Sequence, residues 1–257
     1  MNKSISSRAP STEQKLGLLR TLLISLASWL VTFYFCGKAI YTVLTSKSPR
    51  TKVDRVIRQW SAKLVEIVNL NIEIKGHFEP IEGRRYIIMC NHSSIYDIPV
   101  SFLAIPGTLR MLAKKELFRI PLFGRAMKMS EFVFINRSNK DEAKRDLALA
   151  RERMQDGIMI WIAPEGTRSV DGELLPFKKG GMHLAIETQA MIVPVVIKDI
   201  HRVLPKNRFR MNCNQTVEFR IGQPIDASEF TLDKRSQLSQ KVREKMLDLL
   251  KPEMGQF

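Results

Sequence analysis

The sequence predicts an α/β domain on a mixed, mostly parallel sheet flanked by helices, preceded by an N-terminal α-helical membrane anchor. Three observations predict it. From residue 70 onward, short apolar runs of strand length alternate with amphipathic or charged stretches of helical length, the rhythm of strands joined by crossover helices. An uncharged run, Thr21–Gly37, stands ahead of that domain. A formal net charge of +15 on 257 residues demands an anionic partner: nucleic acid, a membrane surface or phosphorylated substrates.

The N-terminal elements come first. The uncharged run holds 17 residues, TLLISLASWLVTFYFCG. As a helix it reaches about 25 Å, slightly short of the ~30 Å of a hydrocarbon core. Its flanks are both basic, with Lys3, Arg8, Lys15 and Arg20 before it and Lys38, Lys47, Arg50 and Lys52 after it. The bias of positive charge therefore gives no clear crossing, and a crossing would leave the main domain cytoplasmic. After Pro49, the residues Val53, Val56, Ile57, Trp60, Leu64, Ile67 and Val68 recur at helical spacing among Arg50, Lys52, Arg55, Arg58 and Lys63. That basic amphipathic helix suits an anionic interface, or equally a helix packed on its own domain. The expectation is a two-helix anchor over residues 1–68, not clearly crossing the bilayer, followed by an α/β domain over residues 69–257.

Within that domain, Asn69–Lys75 alternates at period two, and Tyr86–Cys90, Leu109–Ala113, Phe132–Ile135, Ile158–Ala163, Ile192–Ile197 and Val217–Ile221 read as short strands. Asp141–Met154, Gly181–Thr188 and Leu232–Leu250 read as helices. Cys36, Cys90 and Cys213 are odd in number and far apart, which argues against a disulfide framework or a zinc site.

Ligands of such sheets sit beyond the carboxyl ends of strands. Two polar motifs fall there. Asn91-His92-Ser93-Ser94-Ile95-Tyr96-Asp97 follows YIIMC. A histidine acts as a base near neutral pH, and a carboxylate five residues on, where a loop becomes the first turn of a helix, can fix its tautomer. Pro164-Glu165-Gly166-Thr167-Arg168-Ser169 follows IMIWIA. Arg168 offers a planar fork for phosphate, Gly166 lets the backbone approach closely, and Thr167 and Ser169 add hydroxyls. Either motif alone is more often structural than chemical.

In series they are specific. With Phe134-Ile135-Asn136-Arg137 between them and Ile192-Val193-Pro194-Val195 after them, the order resembles the glycerolipid acyltransferase family, whose N-H-x-S-x-x-D, F-I-x-R, P-E-G-T-R-S and V-P-V motifs follow one another in this way. Ala113-Lys114-Lys115-Glu116-Leu117 and Ile120-Pro121-Leu122-Phe123-Gly124 add to the likeness, which spans about residues 70 to 225 and is strongest to bacterial 1-acyl-sn-glycerol-3-phosphate acyltransferases. The resemblance implies that His92 is the general base and Asp97 its orienting partner. It implies that Arg137 and Arg168 bind the acceptor phosphate, that Gly166 and Thr167 shape that loop, and that Glu165 orients the acceptor or Arg168. Lys114 is a further phosphate-binding candidate. Asn136 and Ala163 depart from the residues many relatives carry, Asp and Phe, without removing a group the chemistry uses.

The implied reaction moves a fatty acyl group from a thioester, acyl-CoA or acyl carrier protein, to the sn-2 hydroxyl of lysophosphatidic acid. The hydroxyl attacks directly, with no covalent enzyme intermediate, no metal and no cofactor. The expected partners are the lysophospholipid, the acyl donor and an anionic membrane surface, with the enzyme at a bacterial inner membrane and its catalytic domain on the cytoplasmic side. Glycerol 3-phosphate and other lyso-lipids remain alternative acceptors. A basic nucleic-acid-binding module explains the charge but leaves Thr21–Gly37 without a role, and a non-catalytic membrane protein leaves His92 and Asp97 without one. Lys206, Arg208 and Arg210 form either a solvated loop or a contact with anionic lipid.

Overall fold

The computed structural model describes residues 17–136, 140–208 and 210–252, apart from the side chains of residues 140, 141, 143 and 144. Two helices lead: α1 (Leu18–Thr45) and α2 (Pro49–Ile67). Then come β1 (Asn71–Lys75), β2 (Tyr86–Cys90), α3 (Asp97–Ala104), β3 (Leu109–Lys114), α4 (Phe123–Met129), β4 (Val133–Ile135) and α5 (Lys140–Gln155). The chain closes with β5 (Met159–Ile162), α6 (Lys179–Thr188), β6 (Met191–Lys198), β7 (Thr216–Ile221), β8 (Ile225–Asp226) and α7 (Arg235–Leu250).

The sheet runs β1-β7-β6-β2-β5-β3-β4, with β8 also on β6. Pairing is parallel for β1 with β7 and throughout β6-β2-β5-β3-β4; β7 and β8 run antiparallel to β6. The sheet is thus mixed and mostly parallel. Pro194, inside central β6, lacks an N–H for the ladder and falls between the residues that pair with β7 and those that pair with β8. Its carbonyl accepts the backbone N–H of Gly222 at 2.8 Å instead.

Period-two alternation divides the central strands between two cores. Ile88 and Cys90 of β2 and Met159, Trp161 and Ala163 on and beside β5 face one layer, which also holds Val53, Ile57 and Leu64 of α2 and Val100 and Phe102 of α3. Ile87 and Met89, with Ile160 and Ile162, face the other, filled from α5, α6 and α7 by Met154, Leu184, Leu238 and Met246. Burial on both faces explains why these strands read as continuous apolar runs.

The amphipathic stripe of α2 therefore packs on its own domain, one of the two uses open to it. Three further ties fix that docking. Arg50 pairs bidentately with Glu131 at 2.8 and 2.6 Å. Arg58 donates to the carbonyl of Ile105 at 2.7 Å. Asp54 accepts from Arg110 and from the Thr108 hydroxyl, both at 2.6 Å. Arg110 is 1% exposed and also donates to the carbonyl of Ser130 at 2.5 Å.

The first helix outruns the uncharged segment that announces it. It extends over 28 residues, about 42 Å, past Lys38. The Lys38 ammonium is accommodated by the Gln59 side chain of α2 at 2.7 Å, and Ser25, Ser28, Thr32 and Thr42 return their hydroxyls to carbonyls one turn back. Such satisfied polar groups keep a helix compatible with an apolar surround. One side packs against α2 through Ile24, Val31 and Val43, while Leu22, Leu26, Trp29, Leu30 and Phe33 stay exposed. Among the described residues, α1 alone is long and apolar enough to cross a membrane.

Candidate active site

Because β6, β2, β5, β3 and β4 are parallel, their carboxyl ends share one edge, and both polar motifs leave the sheet there. Asn91 prolongs the ladder beyond β2 with its side chain: the amide donates to the Ile197 carbonyl at 3.2 Å and accepts the Ile197 N–H at 2.8 Å. The next residue, His92, is thereby delivered from a rigid strand end.

Asp97 opens α3, and its side chain folds back over the preceding loop. Its Oδ2 accepts the backbone N–H groups of Ser93 at 2.9 Å and Ser94 at 3.0 Å, and lies 2.6 Å from Nδ1 of His92. The Asp97 side chain is fully buried in the first turn of α3. An ionised carboxylate only accepts, so neutral His92 carries its proton on Nδ1 and its lone pair on Nε2. The imidazole stands edge-on to Trp161, ring centres 5.9 Å apart, and the indole N–H is held by the Ser101 hydroxyl at 3.0 Å. Hydrogen bond and ring contact together fix the rotamer, while the side chain keeps 22% of its surface exposed.

The second motif grips the same histidine from its backbone. Glu165 accepts the His92 N–H at 2.8 Å with one oxygen and the Leu175 N–H at 2.8 Å with the other. The N–H of Ser169 donates to the His92 carbonyl at 2.7 Å. Burial pushes the Glu165 carboxyl above its usual range, against the pull of those two N–H donors. Between the two anchors the chain must turn outward, and Gly166 makes that turn at φ 73, a conformation open to glycine at no steric cost. Thr167 is exposed there and Arg168 half-buried.

The structure therefore brings Asp97 onto the imidazole of His92 and Glu165 onto its backbone, and sets Gly166, Thr167 and Arg168 beside them. Glu165, expected to orient the acceptor or Arg168, has both oxygens on backbone donors instead. Lys114 ends β3 at the same sheet edge, exposed, with Glu116 at 3.2 Å. As β2 and β3 both flank β5, their ends stand about 10 Å apart. Arg137 lies outside the described residues. Among the described residues no group of three or more His, Cys, Asp or Glu side chains is placed to hold a metal ion. Trp161 and Ser101 are missed by motif reading; the parity of β5, which puts Trp161 on the same face as Ala163, is the signal that could have found the former.

Comparison with known proteins agrees with this architecture. The family described as Acyltransferase matches residues 71–198. A 1-acyl-sn-glycerol-3-phosphate acyltransferase of Haemophilus influenzae is 32% identical over 220 residues, 85% of this chain and 88% of that one. One of Saccharomyces cerevisiae is 32% identical over 247 residues, 92% of this chain and 80% of that one. The crystal structure of the 1-acyl-sn-glycerophosphate (LPA) acyltransferase PlsC of Thermotoga maritima superposes with a TM-score of 0.78 at 25% identity, covering 90% of this chain and 94% of that one. A histidine–carboxylate pair at the parallel edge of such a sheet, in a chain matched over most of its length by these enzymes, leads to one conclusion: the chain belongs to the acyltransferase family and is an O-acyltransferase.

Proposed function

We propose that the chain is a 1-acyl-sn-glycerol-3-phosphate acyltransferase of phospholipid biosynthesis, which transfers a fatty acyl group from a thioester to the sn-2 hydroxyl of lysophosphatidic acid and forms phosphatidic acid. The observation that carries this reading is the hydrogen bond between His92 Nδ1 and Asp97 Oδ2, in a loop clamped to Glu165 and Ser169 of the second motif. His92 therefore stands beside the turn that holds Arg168, which supports its reading as the base.

The steps follow from this geometry. Nε2 of His92 removes the proton of the acceptor hydroxyl as the oxygen attacks the thioester carbonyl. Asp97 steadies the imidazolium that forms. The tetrahedral adduct collapses, the carbon–sulfur bond breaks, and the thiolate recovers the proton from His92. Base assistance of this kind contributes about 10²–10⁴ in rate. Thr167 and Arg168, with Arg137 and Lys114, bind the acceptor phosphate and orient the hydroxyl, and Gly166 gives their turn its shape. Glu165 acts through His92, as a positioning residue. The donor is acyl-CoA or acyl carrier protein, and the chemistry calls for no cofactor and no nucleic acid.

The exposed apolar side of α1 and the basic flanks support attachment to an anionic membrane, the inner membrane of a bacterium with the catalytic domain on its cytoplasmic side. The anchoring surface is then the exposed side of α1, while α2, the second helix of the expected anchor over residues 1–68, packs on the acyltransferase domain over residues 69–257. The experiment is a transfer assay on the purified chain with acyl-CoA or acyl carrier protein and a panel of lyso-acceptors. Preferential formation of phosphatidic acid is expected; preference for a lyso-acceptor without a free phosphomonoester would overturn the assignment.

A further inference from the structure

Beyond β6 the chain turns at Asp199, φ 62, and runs back across the carboxyl edge of the sheet. This loop is held firmly. Ile200 and Val203 are fully buried, the Asn212 N–H donates to the Val203 carbonyl at 2.9 Å, and the Asn212 amide donates to the Arg202 carbonyl at 2.7 Å. The hydroxyl of Ser94, from the histidine motif, donates to the Leu204 carbonyl at 3.2 Å. Two residues on, the Lys206 ammonium donates to the Arg168 carbonyl at 2.6 Å and to the Thr167 hydroxyl at 3.3 Å.

Lys114, Lys115 and Lys198 each pair with a carboxylate: Glu116, Glu142 and Glu218. Among the described residues no carboxylate pairs with Lys206, and none with the guanidinium of Arg168. Two cations without counter-charge thus meet on one turn, itself reversed at Gly166. An ammonium has three donors, and the two bonds on this turn leave one N–H of Lys206 for a ligand.

We propose that Lys206 binds the acceptor headgroup, a cation that joins Arg168 on the phosphate of the lysophospholipid; this rests on the reading of Thr167 and Arg168 as the phosphate-binding turn. A residue that only stapled the turn would require a donor, whereas one that binds phosphate requires a charge. That difference makes the role testable.

The measurement is full kinetics of the intact chain in vesicles, with lysophosphatidic acid and acyl-CoA each varied, for wild type, Lys206→Gln and Lys206→Arg. A charge-assisted bond is lost in Lys206→Gln, so the KM for lysophosphatidic acid rises about tenfold while that for acyl-CoA changes less than about twofold. Lys206→Arg restores most of the loss. An unchanged acceptor KM in Lys206→Gln overturns the proposal, as does a rise in the acyl-CoA KM instead. A fall in kcat shared by both variants, with the acceptor KM unchanged, makes the shape of the lysine side chain rather than its charge the requirement, and also overturns the proposal. Failure of the wild type itself to acylate lysophosphatidic acid is a different result: it removes the functional reading, and this proposal with it.

Discussion

Glu165 accepts the backbone N–H of His92 at 2.8 Å, joining two motifs that lie 73 residues apart in the chain. The carboxylate is buried and its second oxygen holds Leu175, so one side chain sets both the height of the His92 loop and the path of the chain beyond the turn at Gly166. The site is thus supported from behind by backbone bonds, while the imidazole faces outward.

A pH signature follows from that burial. Because burial raises the Glu165 carboxyl above its usual range, the folded protein holds this proton to higher pH than the unfolded chain does. Its contribution to stability is fullest below the unfolded value and declines as pH rises through the folded one. Urea unfolding in detergent between about pH 4 and about pH 7 checks this: the difference in stability between wild type and Glu165→Gln should shift in favour of wild type on acidification. A difference independent of pH contradicts it.

Asp97 holds both the His92 imidazole and the backbone of its loop, and two substitutions separate those bonds. Asp97→Asn keeps an acceptor for Ser93 and Ser94 but no longer secures the His92 tautomer, so kcat falls about 10²–10⁴-fold with a modest change in melting temperature. Asp97→Ala loses the loop bonds as well and destabilises by about 2–4 kcal/mol. Kinetics paired with thermal melts distinguish the two.

Asn91→Ala leaves the buried N–H and carbonyl of Ile197 without the amide that bridges them. The expected cost is about 2–4 kcal/mol in denaturant unfolding. Activity declines as the support of His92 loosens.

The docking of α2 rests more on its buried cation than on its surface one. Arg110→Met removes a fully buried guanidinium that ties Asp54 to Ser130, at a cost of about 3–5 kcal/mol. Arg50→Met breaks a half-exposed pair with Glu131 and costs about 1 kcal/mol or less. Equal effects in chemical unfolding contradict this ranking.

Much of this was legible in the residues. Tyr86–Cys90 is a strand with the bounds its composition predicts, and the other six predicted strands fall within two residues of those observed: burial on both faces leaves an unbroken apolar run in the central strands, and alternation marks the exposed edge strand β1. The pairing of His92 with Asp97 was legible too, since their spacing closes at a helix start. The true length of α1 was not, since Lys38 interrupts the apolar run while the helix continues past it, with the ammonium on Gln59. Nor were the backbone bonds of Glu165, since N–H donors leave no trace in composition. The inward stripe of α2 has the same pattern as an interfacial one, and only packing against α3 separates them.

The most direct measurement compares phosphatidic acid formation by the full chain and by His92→Ala, both folded and in the same vesicles, with lysophosphatidic acid and acyl-CoA. The expected result is a wild type that turns over and a variant slowed about 10²–10⁴-fold at an unchanged acceptor KM. A His92→Ala rate within a few-fold of wild type would contradict the assignment of His92 as the base.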